Sequence, residues 1–246
     1  MRLIGVTASC KATRSGRGVF GGSAIGPGLS AIGAFAWLLV MVILGAGHAA
    51  DVQAADQGGK PAIALFGYKE LKREGFAIFP QWASVLQRRV KDDQADRECN
   101  PSIANCPLRP WKRFLASLAG KPVLEQLAAV NAYGNRMKYI QDIDNYGVAD
   151  YWAAPKEFIF NSGDCEDYVI FKYFSLRDLG FGAESVRIVT VQDTNLRIAH
   201  AVLAVYINND ILILDNQTES VISHHKILHY APIYSVNENY WWMHMN

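Results

Sequence analysis

The sequence predicts an α+β fold in which helices pack on an antiparallel β-sheet. Three observations carry that reading. Apolar residues recur at helical spacing through the middle of the chain, β-branched-rich runs follow after residue 186, and two of those runs are joined by a short polar turn. The 246 residues suit one medium domain with an appendage, and half of them are hydrophobic, enough to bury a core. With 24 Lys and Arg against 23 Asp and Glu, the formal charge of +1 gives little general attraction to nucleic acid. No Gly-x-Gly-x-x-Gly fingerprint or Walker lysine is present, so a nucleotide-binding role has no signal either.

The appendage is residues 1–50. It holds Arg2, Lys11, Arg14 and Arg17 and no acid, and residues 18–50 are 33 positions without any charged side chain. Basic residues, then an apolar stretch densest at 38–44, then small residues before Asp51, form the pattern of a cleaved secretory signal. Left uncleaved, residues 29–46 approach the length of an inner-membrane anchor. Both readings keep the basic flank in the cytoplasm and translocate the remainder, with 20 basic and 23 acidic residues. Residues 51–62 are small, polar and Gly-containing and read as a linker, leaving 63–246 as the domain. Cysteine usage agrees with export. Cys10 falls in the signal, Cys99 and Cys106 bracket a short loop that could close as a disulfide, and Cys165 is left as an unpaired thiol.

Along the domain, Trp111, Phe114, Leu115 and Leu118 mark one helix that ends at Gly120. Val123, Leu124, Leu127 and Val130, extended to Met137 and Ile140, mark a second. Residues 144–162, rich in Tyr, Trp and Phe, read as a long ordered loop. The next helix should begin near Asp164 and stop at Gly180, and it is apolar around most of its circumference, as a buried central helix would be. Strands are expected over 186–191, 198–207 and 211–214. A tight turn at Asn208 and Asn209 pairs Ile207 with Asp210 and so sets Asp215 opposite Val202, a diagonal neighbour of His200.

That register brings together what a nucleophilic cysteine requires. Cys165 lies in a helix first turn, which favours thiolate; His200 in a strand can take its proton; Asp215 on the adjoining strand can orient the imidazole. Three acids complicate the picture. Asp164, Glu166 and Asp167 flank Cys165, and two like charges about 6 Å apart repel by roughly 0.7 kcal/mol in water and near 3 kcal/mol at an effective dielectric of 20. They either cap the helix or hold a hard divalent cation such as calcium, whose charge would reverse the penalty. Three side chains do not fill a calcium shell, so carbonyls, waters or the 208–210 turn would have to join them.

The string Gly163, Asp164, Cys165, Glu166, Asp167, Tyr168 forms a recognisable set with the preceding run from Asp150 through Trp152 and Pro155 to Phe158. His200, Ala201, Val202, Leu203 and Leu214, Asp215, Asn216 complete it. Together they resemble the bacterial transglutaminase-like cysteine proteinases, the family of the LapG-type periplasmic proteases, from about Trp111 to Asn237. The resemblance implies a transglutaminase-like, papain-like fold. It also implies a periplasmic endopeptidase with Cys165 as nucleophile, His200 as base and Asp215 as orienting carboxylate, and calcium at Asp164, Glu166 and Asp167. In that family the substrate is the N-terminal region of a large surface adhesin, whose cleavage releases biofilm cells. Control there is sequestration by an inner-membrane receptor for cyclic di-GMP.

Two rival functions use the same residues differently. An acyltransferase or transglutaminase would share all three catalytic side chains and differ in what attacks the acyl-enzyme, whereas a periplasmic binding module would use Cys165 only structurally. His224, His225, His229 and His244 read as a solvated or interface cluster rather than a metal site, and Tyr240, Trp241 and Trp242 as packed back on the domain. Arg187 and Arg197 are expected to line an acidic contact.

Overall fold

The computed structural model describes residues 63–100, 102 and 105–246; the expected signal or anchor (1–50), which contains Cys10, and the linker (51–62) lie outside the described residues. Helices are α1 (Pro80–Glu98), α2 (Arg109–Leu118), α3 (Val123–Asn135), α4 (Asp142–Asn145), α5 (Pro155–Asn161) and α6 (Cys165–Asp178). Strands are β1 (Lys69–Glu74), β2 (Val186–Asp193), β3 (Ile198–Ile207), β4 (Asp210–Leu214), β5 (Ile222–Ser223), β6 (Tyr230–Val236) and β7 (Tyr240–Met245). They form one seven-stranded sheet in the order β1-β7-β6-β2-β3-β4-β5, with every neighbouring pair antiparallel. This is the expected α+β architecture.

α6 is the axis of the fold. Its residues from Cys165 to Leu176 are all buried, because α3 and α5 cover it on one side and β2 and β3 on the other. Fully burying side chains such as Val169, Ile170, Phe171 and Leu176 contributes about 1.5–3 kcal/mol each. Alternation divides the sheet between two cores. Ile188, Ala201, Leu203 and Val205 join the helix-side cluster, and Val189, Val191, Val202 and Ala204 join a second cluster closed by Leu65 and Tyr230.

α2 buries Trp111, Leu115 and Leu118 as expected, but α3 stops at Asn135. Met137 and Ile140 lie beyond it, where the chain runs extended beside Gly163: Tyr139 bridges to Gly163, and the Ile140 N–H donates to the Gly163 carbonyl at 2.9 Å. The stretch expected to be a loop holds two short helices. α5 forms because Pro155 presets its first turn while Glu157 accepts the Ala154 N–H at 2.7 Å. Cys99 and Cys106 are joined as a disulfide.

The four C-terminal histidines are not one solvated cluster. His224 and His244 are buried, each filling a polar gap: His224 Nδ1 accepts the Phe66 N–H at 3.0 Å, and His244 Nε2 lies 3.0 Å from Ser235 Oγ. Arg187 meets an acid, Glu70, at 2.8 Å and stacks over the Trp242 ring.

The β3–β4 turn takes the expected form. Asn208 and Asn209 have φ of 48° and 63°, and Ile207 pairs with Asp210, so the register runs to Leu203 opposite Leu214, one position short of Val202 and Asp215. Replacing both asparagines by alanine is expected to lower stability by about 1–2 kcal/mol per residue in urea unfolding, whereas glycine at both keeps it. Equal stability of the alanine and glycine variants would contradict this account of the hairpin.

Candidate active site

Cys165 is the first residue of α6, with Asp164 as its extended N-cap. Its side chain is fully buried, and its sulfur lies 3.3 Å from Glu166 Oε2. The unpaired thiol expected at this position is not what the structure holds. Cys165 is disulfide-bonded, and among the described residues no cysteine is free. The partner of Cys165 lies outside the described residues.

His200 and Asp215 are brought into direct contact. His200 Nε2 is 2.9 Å from Asp215 Oδ1, and both are almost completely buried. The diagonal placement set by the Asn208–Asn209 turn produces this pair. Burial would push the Asp215 carboxyl up, yet the bond with His200, its charge, the Gln217 N–H and the Tyr230 hydroxyl outweigh it and hold the group at about 2. α6 packs on β3, where Ala201 shares the helix-side core with Cys165, while strand alternation sets His200 on the face of Val202 and Tyr230.

The acids around Cys165 differ in what their side chains contact. Asp167 caps: its Oδ1 accepts the Ala153 N–H at 2.6 Å and its Oδ2 the Asp164 N–H at 3.2 Å. Asp164 and Glu166 do not. Each leaves a buried carboxylate oxygen without a partner, and so does Asp142, which sequence reasoning did not single out. Asp142 Oδ2 accepts the Tyr151 N–H at 2.5 Å, which leaves Oδ1 facing the cluster.

Oxygens of Asp142, Asp164 and Asp167 lie within 4.8 Å of one another, and so do those of Asp142, Asp150 and Glu166. Two ligands of a single calcium ion at about 2.4 Å each can be no more than about 4.8 Å apart. A donor set of buried carboxylate oxygens fits a hard divalent cation, and Asp142 belongs to both groups. Among the described residues, the acids that gather with Asp164, Glu166 and Asp167 are Asp142 of α4 and Asp150, not the 208–210 turn. Glu166 can take part because Asp164 is extended rather than helical.

Asp142 and Asp150 had a signal that went unread. Asp150 is an acid within the aromatic-rich stretch 144–162, and Asp142 lies just before it. By contrast, the grouping of Asp210, His224 and His225 does not suit a metal. His224 Nδ1 accepts a backbone N–H, so the ring proton sits on Nε2 and no lone pair faces Asp210.

Electrostatics shows what the acids cost when nothing neutralises them. Burial, and then repulsion by Asp164, lifts Asp142 to about 7, and burial lifts Asp164 to about 6. Burial, then the charge of Asp164, holds Glu166 and Asp167 well above the carboxylate range. Groups whose folded pKa is raised bind protons more tightly folded than unfolded, so their stability contribution falls as pH rises from about 4 through about 7. Chelated protein is expected to lose thermal stability across that window; a flat profile would contradict the burial of these acids. Asp215 has the opposite sign, and its contribution disappears only as pH falls from about 4 towards 2.

Gly163 is required beside the cluster, since a Cβ there would stand 2.0 Å from Asp167 Oδ2 and 2.7 Å from Asp167 Cβ. Gly163→Ala is expected to expel the Asp167 carboxylate and cost at least about 2 kcal/mol, read as a fall in unfolding midpoint. Unchanged stability would contradict that packing.

Comparison with known proteins agrees with the geometry. The family model described as bacterial transglutaminase-like cysteine proteinase BTLCP matches residues 96–246. No curated protein is a significant match. Among solved structures, LapG of Legionella pneumophila is similar at 30% identity with a TM-score of 0.52, covering 62% of this chain and 86% of that one. Its calcium-bound form gives 31% and 0.53 over the same shares, and its EGTA-treated form 31% and 0.53, with 83% of that chain covered. The match to the family model spans well over half of the sequence and contains Cys165, His200, Asp215 and all five acids, and the chain belongs to the bacterial transglutaminase-like cysteine proteinases.

Proposed function

We propose that this chain is a periplasmic cysteine endopeptidase whose nucleophile is the Cys165 thiol, with His200 as its base and Asp215 as the carboxylate that orients the ring. The observation that carries the reading is the buried 2.9 Å contact between His200 Nε2, on the strand β3 that packs against the helix Cys165 begins, and Asp215, just past the end of β4. With Nε2 engaged by Asp215, proton exchange with the thiol falls to Nδ1. The thiolate attacks a peptide carbonyl while His200 passes its proton to the leaving amine. Water, deprotonated by the same imidazole, then hydrolyses the acyl-enzyme. The Cys165 N–H at the start of α6 is placed to donate to the oxyanion.

Asp142, Asp150, Asp164, Glu166 and Asp167 would hold calcium, as suggested by their three unpartnered oxygens and by the calcium-bound form of the Legionella protein. Bound there, calcium supplies positive charge that offsets the repulsion of a thiolate by the acids. The substrate in this reading is the N-terminal region of a large surface adhesin, cut at a small-residue site. Its cleavage releases biofilm cells, and an inner-membrane cyclic di-GMP receptor sequesters the protease. The support is family membership.

A sulfur in a disulfide cannot attack, so the proposal concerns the reduced residue. Cys99 and Cys106 bond each other, and Cys10 lies in the segment expected to be removed on export. Mature periplasmic protein should therefore carry one alkylatable thiol per chain, at Cys165; none would contradict the reading. Incubation with an adhesin N-terminal fragment should give shorter pieces by mass, lost in Cys165→Ala with folding intact. Joined pieces would mean acyl transfer, and cleavage by the alanine variant would end the protease reading.

A further inference from the structure

Asp215 receives more than the imidazole. Its Oδ1 also accepts the Gln217 N–H at 2.9 Å, and its Oδ2 accepts the Tyr230 hydroxyl at 2.6 Å. Tyr230 is the first residue of β6, is 6% exposed, and sets its ring 5.7 Å from that of His200, with Phe66 edge-on at 6.0 Å and His229 at 4.4 Å. The charged and titratable groups around it are His200, Asp215, His229 and Asp193.

We infer that Tyr230 is a positioning residue, whose hydroxyl fixes the Asp215 carboxylate in the plane that holds His200. The inference rests on the protease reading above and deepens it. A buried carboxylate oxygen lacking a donor is costly, and a phenol on a strand supplies one in a single orientation. By drawing charge towards Oδ2, the phenol lowers the basicity of Asp215, so the Nε2 proton stays on His200 and the imidazolium is not over-stabilised. Burial, and then the Asp215 charge, keep the phenol protonated through any working pH.

Tyr230→Phe removes the hydroxyl and keeps the ring. In the reduced full-length chain, iodoacetamide alkylation of the Cys165 peptide is followed by mass against pH, a readout independent of substrate. The alkaline limb, which reports His200, is expected to rise by about one pH unit, equivalent to roughly a tenfold change in the proton equilibrium. Adhesin-fragment cleavage should lose about tenfold in kcat with KM unchanged, the order of one charge-assisted hydrogen bond. On an Asp215→Asn background the same substitution should change nothing further.

Fluorotyrosine at 230, a stronger donor on an intact fold, should move the limb down, which keeps the test decisive if Tyr230→Phe unfolds. An unmoved limb in either variant, or an equal effect on both backgrounds, overturns the inference alone. Cleavage surviving Cys165→Ala overturns the protease reading and this inference together.

Discussion

Uncompensated negative charge at the start of α6 is the constraint on which the rest depends. Five carboxylates surround the first turn of a helix buried from Cys165 to Leu176, and three of their oxygens have no hydrogen-bond partner. Water cannot screen them there, and the helix dipole offsets only about half an elementary charge. A thiolate in the same turn would add one more negative charge. Protonation of these groups or a cation among them would each remove the charge that opposes a thiolate, and a cation does so with the acids ionised.

The His200–Asp215 pair and the cluster of acids are held by different parts of the fold. His200 and Asp215 come from a hairpin whose register is fixed by two asparagines in left-handed conformation, and β6 adds Tyr230 from across β2. The acids come from α4, from the segment before α5 and from the N-cap of α6, gathered by Gly163 and the backbone bonds to Asp167. α6 joins the two halves through its packing on β3. Cys165 sits at that junction.

Much of this was legible in the sequence where the signal is local. Gly180 marked the end of α6, and Asn208 with Asn209 fixed the hairpin and, through it, the His200–Asp215 pair. What failed was whatever depends on distant partners. α1 went unread because its buried stripe, Trp82, Val85 and Arg89, is completed by an arginine, which is buried only because Asp93 and Asp178 lie 2.9 and 2.8 Å from its guanidinium. β6 was hidden by Pro232, which falls where the β2–β6 register shifts and so removes no needed donor. β1 is mostly charged and pairs only with β7. Asp142 and Asp150 have a role only once the chain is folded, since their spacing from Cys165 matches no ligand pattern.

The alkylation rate of Cys165 in the reduced protein, measured from pH 6 to 9 with calcium and with a chelator, tests the charge balance most directly. The account predicts that chelation moves the thiol pKa upward by more than a unit and slows the reaction near neutrality. Identical profiles in the two conditions would contradict it.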